Sequence, residues 1–251
     1  MNRIPLFNVI TCIASLIAGM LIGCGRGAAT PSTNHYNQGV AKRAQGDLEG
    51  AIAEWTEAIQ LQTNYAEAYF SLADAERTEG ALSLQSHTFA DDKQIERYLS
   101  HAVADYTKAI ELKPQFAEAY IGRAATKRIE DNLVLDEQQL GQISLDVSEV
   151  NLDLDKAIAD CNRALDLNPN LPDAYSNRGA VKALKHDIDG AIADCTKAIN
   201  ISPNFAEAYF DRASARITKS DLDGAIADCN KAIELKPDFA GKGSVNGIGI
   251  F

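Results

Sequence analysis

Asp173-Ala-Tyr-Ser-Asn-Arg-Gly-Ala and Glu207-Ala-Tyr-Phe-Asp-Arg-Ala-Ser stand 34 residues apart. Each is followed by the same second stretch, Asp189-Gly-Ala-Ile-Ala-Asp-Cys and then Asp223-Gly-Ala-Ile-Ala-Asp-Cys. A fixed period of this length marks one small unit stacked on copies of itself, not a chain closing around a single core. The question therefore moves from which reaction is catalysed to what is bound.

Within a unit the apolar residues recur at helical spacing. Ala206, Tyr209, Ala213 and Ile217 step by three and four along one face of a first helix; Ala225, Ile226, Cys229, Ala232 and Ile233 do so for a second. Ser220-Asp-Leu-Asp-Gly forms the turn between them, with Asp221 placed to cap the second helix. Pro237 stops that helix, because proline has no amide hydrogen and its ring clashes with the preceding turn. Pro114, Pro169 and Pro203 hold the same place in earlier copies, and Ala191, Ala198, Ala225 and Ala232 recur where two helices would approach closely.

A 34-residue helix–turn–helix with this order of Tyr, Gly or Ala, Ala, small or aromatic residue, Ala and Pro resembles the tetratricopeptide repeat family. The pattern runs through 32–65 (where Thr63 replaces the closing proline), 66–116, 117–171, 172–205 and 206–239. The resemblance implies an all-α solenoid of about five repeats with one concave face. Two copies are interrupted, by about 17 residues near Ala81–Arg97 and about 21 near Asp131–Leu152. The first is mixed in character, with no strong element of its own, and reads as lengthened helices or loops. The second, rich in Leu, Ile and Val, is read equally as such a lengthening or as a binding face at 132–151, since insertions in repeats often map to one.

The N-terminus carries a different message. Residues 1–23 begin weakly basic at Arg3 and continue as an uncharged, largely apolar run from Ile4 to Ile22. Such a run fits a signal peptide or a membrane anchor. Leu21-Ile22-Gly23-Cys24 resembles the lipobox of bacterial lipoproteins, which implies cleavage before Cys24, a diacylglycerol thioether on its sulfur and an acyl chain such as palmitate on its freed amine. Several acyl chains together anchor stably, where one alone binds only marginally. Residues 24–31 then read as the lipidated cysteine and a tether; even the ten residues from Gly25 to Asn34, fully extended, reach at most about 33–36 Å, so the repeats stay near the membrane. Gly25 lacks the aspartate that retains well-studied Gram-negative lipoproteins in the inner membrane, so the resemblance favours the outer membrane over the plasma membrane.

Charge narrows the partners. The chain has 35 acidic and 24 basic residues; without residues 1–23, which hold only Arg3, the balance is 23 against 35, a net charge of −12. With no clustered basic stripe, nucleic acid is not an expected partner. Cys161, Cys195 and Cys229 lie where successive copies align, in a column that holds Trp55 and Tyr106 in the earlier ones. A metal ligand cannot be exchanged for an aromatic, so the column reads as packing with reduced thiols. Arg123, Arg178 and Arg212 recur in first helices, and Asp105, Asp160, Asp194 and Asp228 in second helices, which suggests ion pairs within or between copies.

No spacing of His35, His87, His101 and His186 suggests a metal site or a triad, and the late glycines cradle no phosphate. No catalytic residue, metal or cofactor is expected, and the chain is not expected to be an enzyme. Some tetratricopeptide domains hold C-terminal carboxylates with Lys and Asn on their first helices. Here those faces offer Tyr36, Asn37, Phe70, Asp74, Ile121, Ala125, Ser176, Asn177 and Phe210, which imply a groove for an apolar or helical segment. The tail at 240–251 cannot readily make a closing helix. Self-association through a bare last repeat is one reading, and folding back of Val245, Ile248, Ile250 and Phe251 is another. Together these features imply a lipid-anchored interaction scaffold or adaptor in the bacterial cell envelope, its solenoid on the periplasmic or extracytoplasmic side. The alternative is an envelope chaperone or carrier that holds apolar client segments.

Overall fold

The structure, a computed structural model, describes residues 30–86, 92–139, 147–237, 239, 244–245 and 248–249. The readings on residues 1–23, on Cys24 and on most of 240–251 lie outside the described residues. Within them ten helices follow one another: α1 (Pro31–Ala44), α2 (Leu48–Leu61), α3 (Ala66–Ser86), α4 (Asp92–Leu112), α5 (Ala117–Gln139), α6 (Val147–Leu167), α7 (Pro172–Leu184), α8 (Ile188–Ile201), α9 (Ala206–Thr218) and α10 (Leu222–Leu235). They form five successive pairs, each packed on the next, and the first helices α3, α5, α7 and α9 also touch one another along one side. A two-residue antiparallel ladder, β1 (Ser244–Val245) with β2 (Ile248–Gly249), follows the last pair.

The turns obey their local chemistry. Asp47, Asp187 and Asp221 accept from the amides of Gly50, Gly190 and Gly224 at 2.9, 3.0 and 3.1 Å, so the expected Asp221 cap is present, as it is in two sister repeats. The residue before each capping aspartate is left-handed: Gly46, His186 and Ser220 have φ of 81°, 62° and 65°. The interruption near Ala81–Arg97 lengthens the two helices of repeat 2, one of the two forms its reading allowed. It is helical at both ends, completing α3 to Ser86 and opening α4 at Asp92, and it contributes the buried Ile95. The second interruption lengthens α5 and α6 in the same way.

Most buried apolar side chains are alanines, which let the helices of a pair approach closely. The Trp–Tyr–Cys column fills the space that remains. Trp55 is buried against Gly39 and donates its indole N–H to the Tyr36 carbonyl at 3.2 Å. Tyr106 is also buried, as are the free thiols of Cys161 and Cys195, while that of Cys229 is half-buried. Burial pushes the Cys161 thiol up to about 12 and raises Cys195 and Cys229 as well, which keeps them unreactive.

Between the alanines run the expected ion pairs, and they act both within and between copies. Arg123, Arg178 and Arg212 each grip the aspartate of their own second helix with two bonds of 2.7–2.8 Å, to Asp160, Asp194 and Asp228. The remaining Nη1 of each donates backwards to the preceding repeat's second helix, at Thr107 (3.0 Å), Asn162 (2.6 Å) and Thr196 (3.1 Å). Each guanidinium lies beside a tyrosine ring of its own helix, Tyr120, Tyr175 or Tyr209, at 5.3–5.8 Å. The hydroxyls of Tyr120 and Tyr209 donate to the Pro114 and Pro203 carbonyls. One turn further along, Lys42, Lys182 and Arg216 reach Glu54, Asp194 and Asp228 at 2.7–2.8 Å.

Repeat 2 inverts this arrangement. Leu72 stands where the paired arginine should be and Glu76 where the lysine should be, so Asp105 faces a second carboxylate. The Glu76 side chain is buried and its Oε2 has no hydrogen-bond partner; the nearest basic group is the exposed His101, with Nδ1 3.6 Å from Oε1. Burial, reinforced by Asp105, pushes Glu76 up to about 8, and burial raises Asp105 to about 6.

Two outcomes follow from this packing. Gly39→Ala would place a Cβ 2.5 Å from Trp55 Nε1, so thermal denaturation should show a loss of about 1–3 kcal/mol. An acid whose pKa is raised by folding makes the folded state hold its proton more tightly. Stability should therefore fall as pH rises from the ordinary 4.5 towards about 8. Glu76→Gln should flatten that fall and melt higher than the parent at pH 8.5; an unchanged pH profile would count against the inverted pair.

Candidate functional site

The first helices and the turns before them line a cavity of about 390 Å³ that spans repeats 2–5. Its apolar wall consists of Phe70 and Tyr106, Ile121 on α5, and Leu171 and Phe205 from the turns entering α7 and α9. Phe70 is held against Phe116 (ring centroids 4.7 Å) and Tyr106 (5.9 Å), and Ile121 packs on buried Ala117, Ala164, Leu165 and Ala174. These side chains are fixed by the repeat core, so the wall is pre-formed, which lowers the ordering cost of binding.

The polar side is an ordered network. Asp74 receives Arg77 Nη2 at 2.5 Å, the Tyr106 hydroxyl at 3.3 Å and an arginine of the preceding repeat, Arg43. Although burial works against it, the Arg77 and Arg43 guanidiniums hold the Asp74 carboxyl below the usual carboxylate range. At the other end Asp211 accepts from the Ser176 hydroxyl at 2.7 Å and has Arg128 Nη1 at 3.6 Å; burial nevertheless raises its pKa. Arg128 Nε is buried with no hydrogen-bond partner. Glu118, Asp173 and Glu207, one in the first turn of each of α5, α7 and α9, complete the rim.

Of the residues named from sequence, the cavity gathers Phe70, Asp74, Ile121, Ala125, Ser176 and Asn177. Asn177 donates Nδ2 to the Asp173 carbonyl at 2.9 Å. The other three lie outside the cavity. Tyr36 stacks on Tyr65 at 5.1 Å within the repeat 1 core, Asn37 is exposed on α1, and Phe210 is covered by the buried Phe239 at 5.1 Å. The sequence reading missed the two arginines and the rim acids. The recurrence of an acid at 67, 118, 173 and 207 was the signal that could have found the rim. Among the described residues there is no group of three metal-ligating side chains, and no helix is long and apolar enough to cross a membrane.

Tyr106→Phe removes the hydroxyl that joins Arg77 to Asp74. A loss of about 1 kcal/mol in urea unfolding is expected, with the cavity wall otherwise intact.

Models of the tetratricopeptide repeat match residues 39–75, 153–185 and 206–239. No curated protein is significantly similar in sequence. Among solved structures the chain resembles a thermophilic TPR protein of Thermus thermophilus (TM-score 0.64, 19% identity, covering 84% of this chain and 94% of that one). It also resembles MamA from Desulfovibrio magneticus RS-1 (TM-score 0.57, 16% identity, 84% and 98%). A further MamA structure aligns at a TM-score of 0.53 with 23% identity, covering 86% and 97%. At these identities the structural likeness speaks to the fold, while the repeat models speak to the sequence itself. Both agree on one architecture: the chain carries tetratricopeptide repeats stacked as a solenoid, which supports a protein–protein interaction scaffold.

Proposed function

We propose that this scaffold acts as an adaptor at a bacterial envelope membrane, held there by lipid on Cys24, with its repeats on the periplasmic or extracytoplasmic side. The observation that carries the binding role is the pre-formed 390 Å³ cavity on the first helices. The anchoring role is supported by Leu21-Ile22-Gly23-Cys24 at the end of an uncharged apolar run, and Gly25 favours the outer membrane. On this reading the chain works by binding: Asp74, Arg77 and Tyr106 hold one another in place along the polar side of the cavity, as Ser176 and Asp211 do at its other end. The insertion at 132–151, rich in Leu, Ile and Val, is a second candidate contact surface.

Cys24→Ser should abolish acylation and leave an unprocessed precursor, read by mass and by labelling with a fatty-acid probe; processing to the parental mature size would overturn the anchor. Cross-linking to the full chain should capture one or two stoichiometric proteins, and Phe70→Ser combined with Ile121→Ser should lose them. Many substoichiometric clients would instead identify a chaperone or carrier. Capture unchanged by the double substitution would move the binding face away from the cavity, and its loss on deleting 132–151 would place it at that insertion.

A further inference from the structure

The rim acids differ from one another in a way the repeat itself makes visible. In repeat 2 the first-turn Glu67 is neutralised by Lys113, just past the end of its own second helix, at 2.9 Å, and in repeat 5 Glu207 is neutralised by Lys236 at 2.9 Å. The equivalent positions in repeats 3 and 4 are Asn168 and Ser202. Glu118 and Asp173 consequently have no ion-pair partner among the described residues, and both face the cavity. The cations already in the cavity are committed elsewhere, Arg77 to Asp74 and Arg128 toward Asp211. Partial desolvation and the adjoining Glu207 carboxylate raise the pKa of Asp173, against the opposing pull of its own backbone hydrogen bond and of the Arg77 charge across the cavity. An acid in a first helical turn is favourable by itself, but that applies to all four acid-bearing repeats and does not explain why two of them, both on the cavity, lack the lysine.

We propose that the missing cations come from the partner: the groove takes an extended, basic segment of another protein that presents Lys or Arg at every third residue. This deepens the reading of the cavity as the binding face and rests on it. The spacing follows from geometry. Helices in contact lie about 8–10 Å apart, so Glu118 on α5 and Asp173 on α7 are offset by roughly that distance. A polyproline-II segment rises about 3.1 Å per residue with three residues per turn, so every third side chain returns to the same side after about 9 Å. A β-strand would turn alternate cations away. The intervening side chains then face Phe70, Ile121 and Phe205, which calls for apolar residues between the basic ones.

The test is fluorescence anisotropy of the full chain in detergent with a labelled, end-blocked Lys-Pro-Leu repeat peptide of about four turns. Its controls are the same peptide with Gln for Lys and one of identical composition with its lysines clustered. Binding of the Lys-Pro-Leu peptide should weaken at least tenfold in the Gln and clustered controls and fall steeply with salt. Glu118→Gln with Asp173→Asn should weaken it to the same degree. Ser202→Lys, which restores the lysine in cis beside Asp173, should also weaken it while leaving the helical circular dichroism unchanged. Equal binding of the Gln peptide, or no effect of Ser202→Lys, overturns the basic-segment proposal. The groove reading survives that result provided Phe70→Ser with Ile121→Ser still abolishes peptide binding or partner capture. If that double substitution changes neither, the groove reading itself fails. A dimer that does not bind the Lys-Pro-Leu peptide, and that Phe70→Ser with Ile121→Ser converts to monomer in sedimentation, would show the groove filled by a second copy and would also overturn the proposal.

Discussion

In each of repeats 3, 4 and 5 one guanidinium does what the small apolar core cannot. An alanine interface brings two helices close, but it is nearly smooth and leaves their relative sliding and rotation weakly specified. Arg123, Arg178 and Arg212 remove that freedom because a planar donor fork on a carboxylate admits a single orientation. The bond to the preceding repeat extends the constraint from the helix pair to the stack. The aspartates of these pairs are buried and their arginines largely so, and their polar atoms are satisfied by further contacts. That is the condition under which a buried ion pair specifies geometry without a large desolvation penalty. The part of the cavity wall that lies on α5 and at the starts of α7 and α9 is built on the same first helices, so its shape follows from these pairs.

Repeat 2 is held by other means. With Leu72 in place of the arginine, its junction to repeat 1 relies on Arg43 reaching Asp74 and on Leu72 packing with Trp55, Ala51 and Ala75. The added length of its two helices brings Ile95 and Leu99 into the core, and Leu99 lies 3.0 Å from the position a Cβ on Gly80 would take. Apolar burial thus occupies the repeat in which the charge order is reversed. At the far end the same column shows what stacking contributes. Ile199 is buried beneath the next repeat, whereas Ile233, with no repeat beyond it among the described residues, is 37% exposed.

Much of the fold was legible because it repeats. A period of 34, the Asp caps, the terminating prolines and the Trp–Tyr–Cys packing column are all statements about equivalent positions, and equivalence can be read from one chain. The binding face was legible only in part. Phe70, Ile121 and Ser176 share a column that by sequence all five first helices offer equally, but Tyr36 is consumed by Tyr65 and Phe210 by Phe239. Whether an aromatic on a first helix faces a ligand or a neighbour depends on what lies beside it, which periodicity does not encode. Arg77 and Arg128 were missed because they recur only with Arg43 in the first three copies, Ala183 and Ile217 holding the column in the last two.

The lengthened helices of repeats 2 and 3 have a thermodynamic consequence. In a linear array, stability is close to a sum of unit and nearest-neighbour contributions, so unfolding begins where neighbours are fewest or contacts shortest. Here α3 has 21 residues against 13 in α7, about 12 Å of additional helix at 1.5 Å per residue. The interfaces that use this length lie in the middle of the chain, not at its ends. Local opening is thereby directed to the terminal pairs, and the wall containing Phe70 and Ile121 stays assembled while the ends of the array fray and re-form.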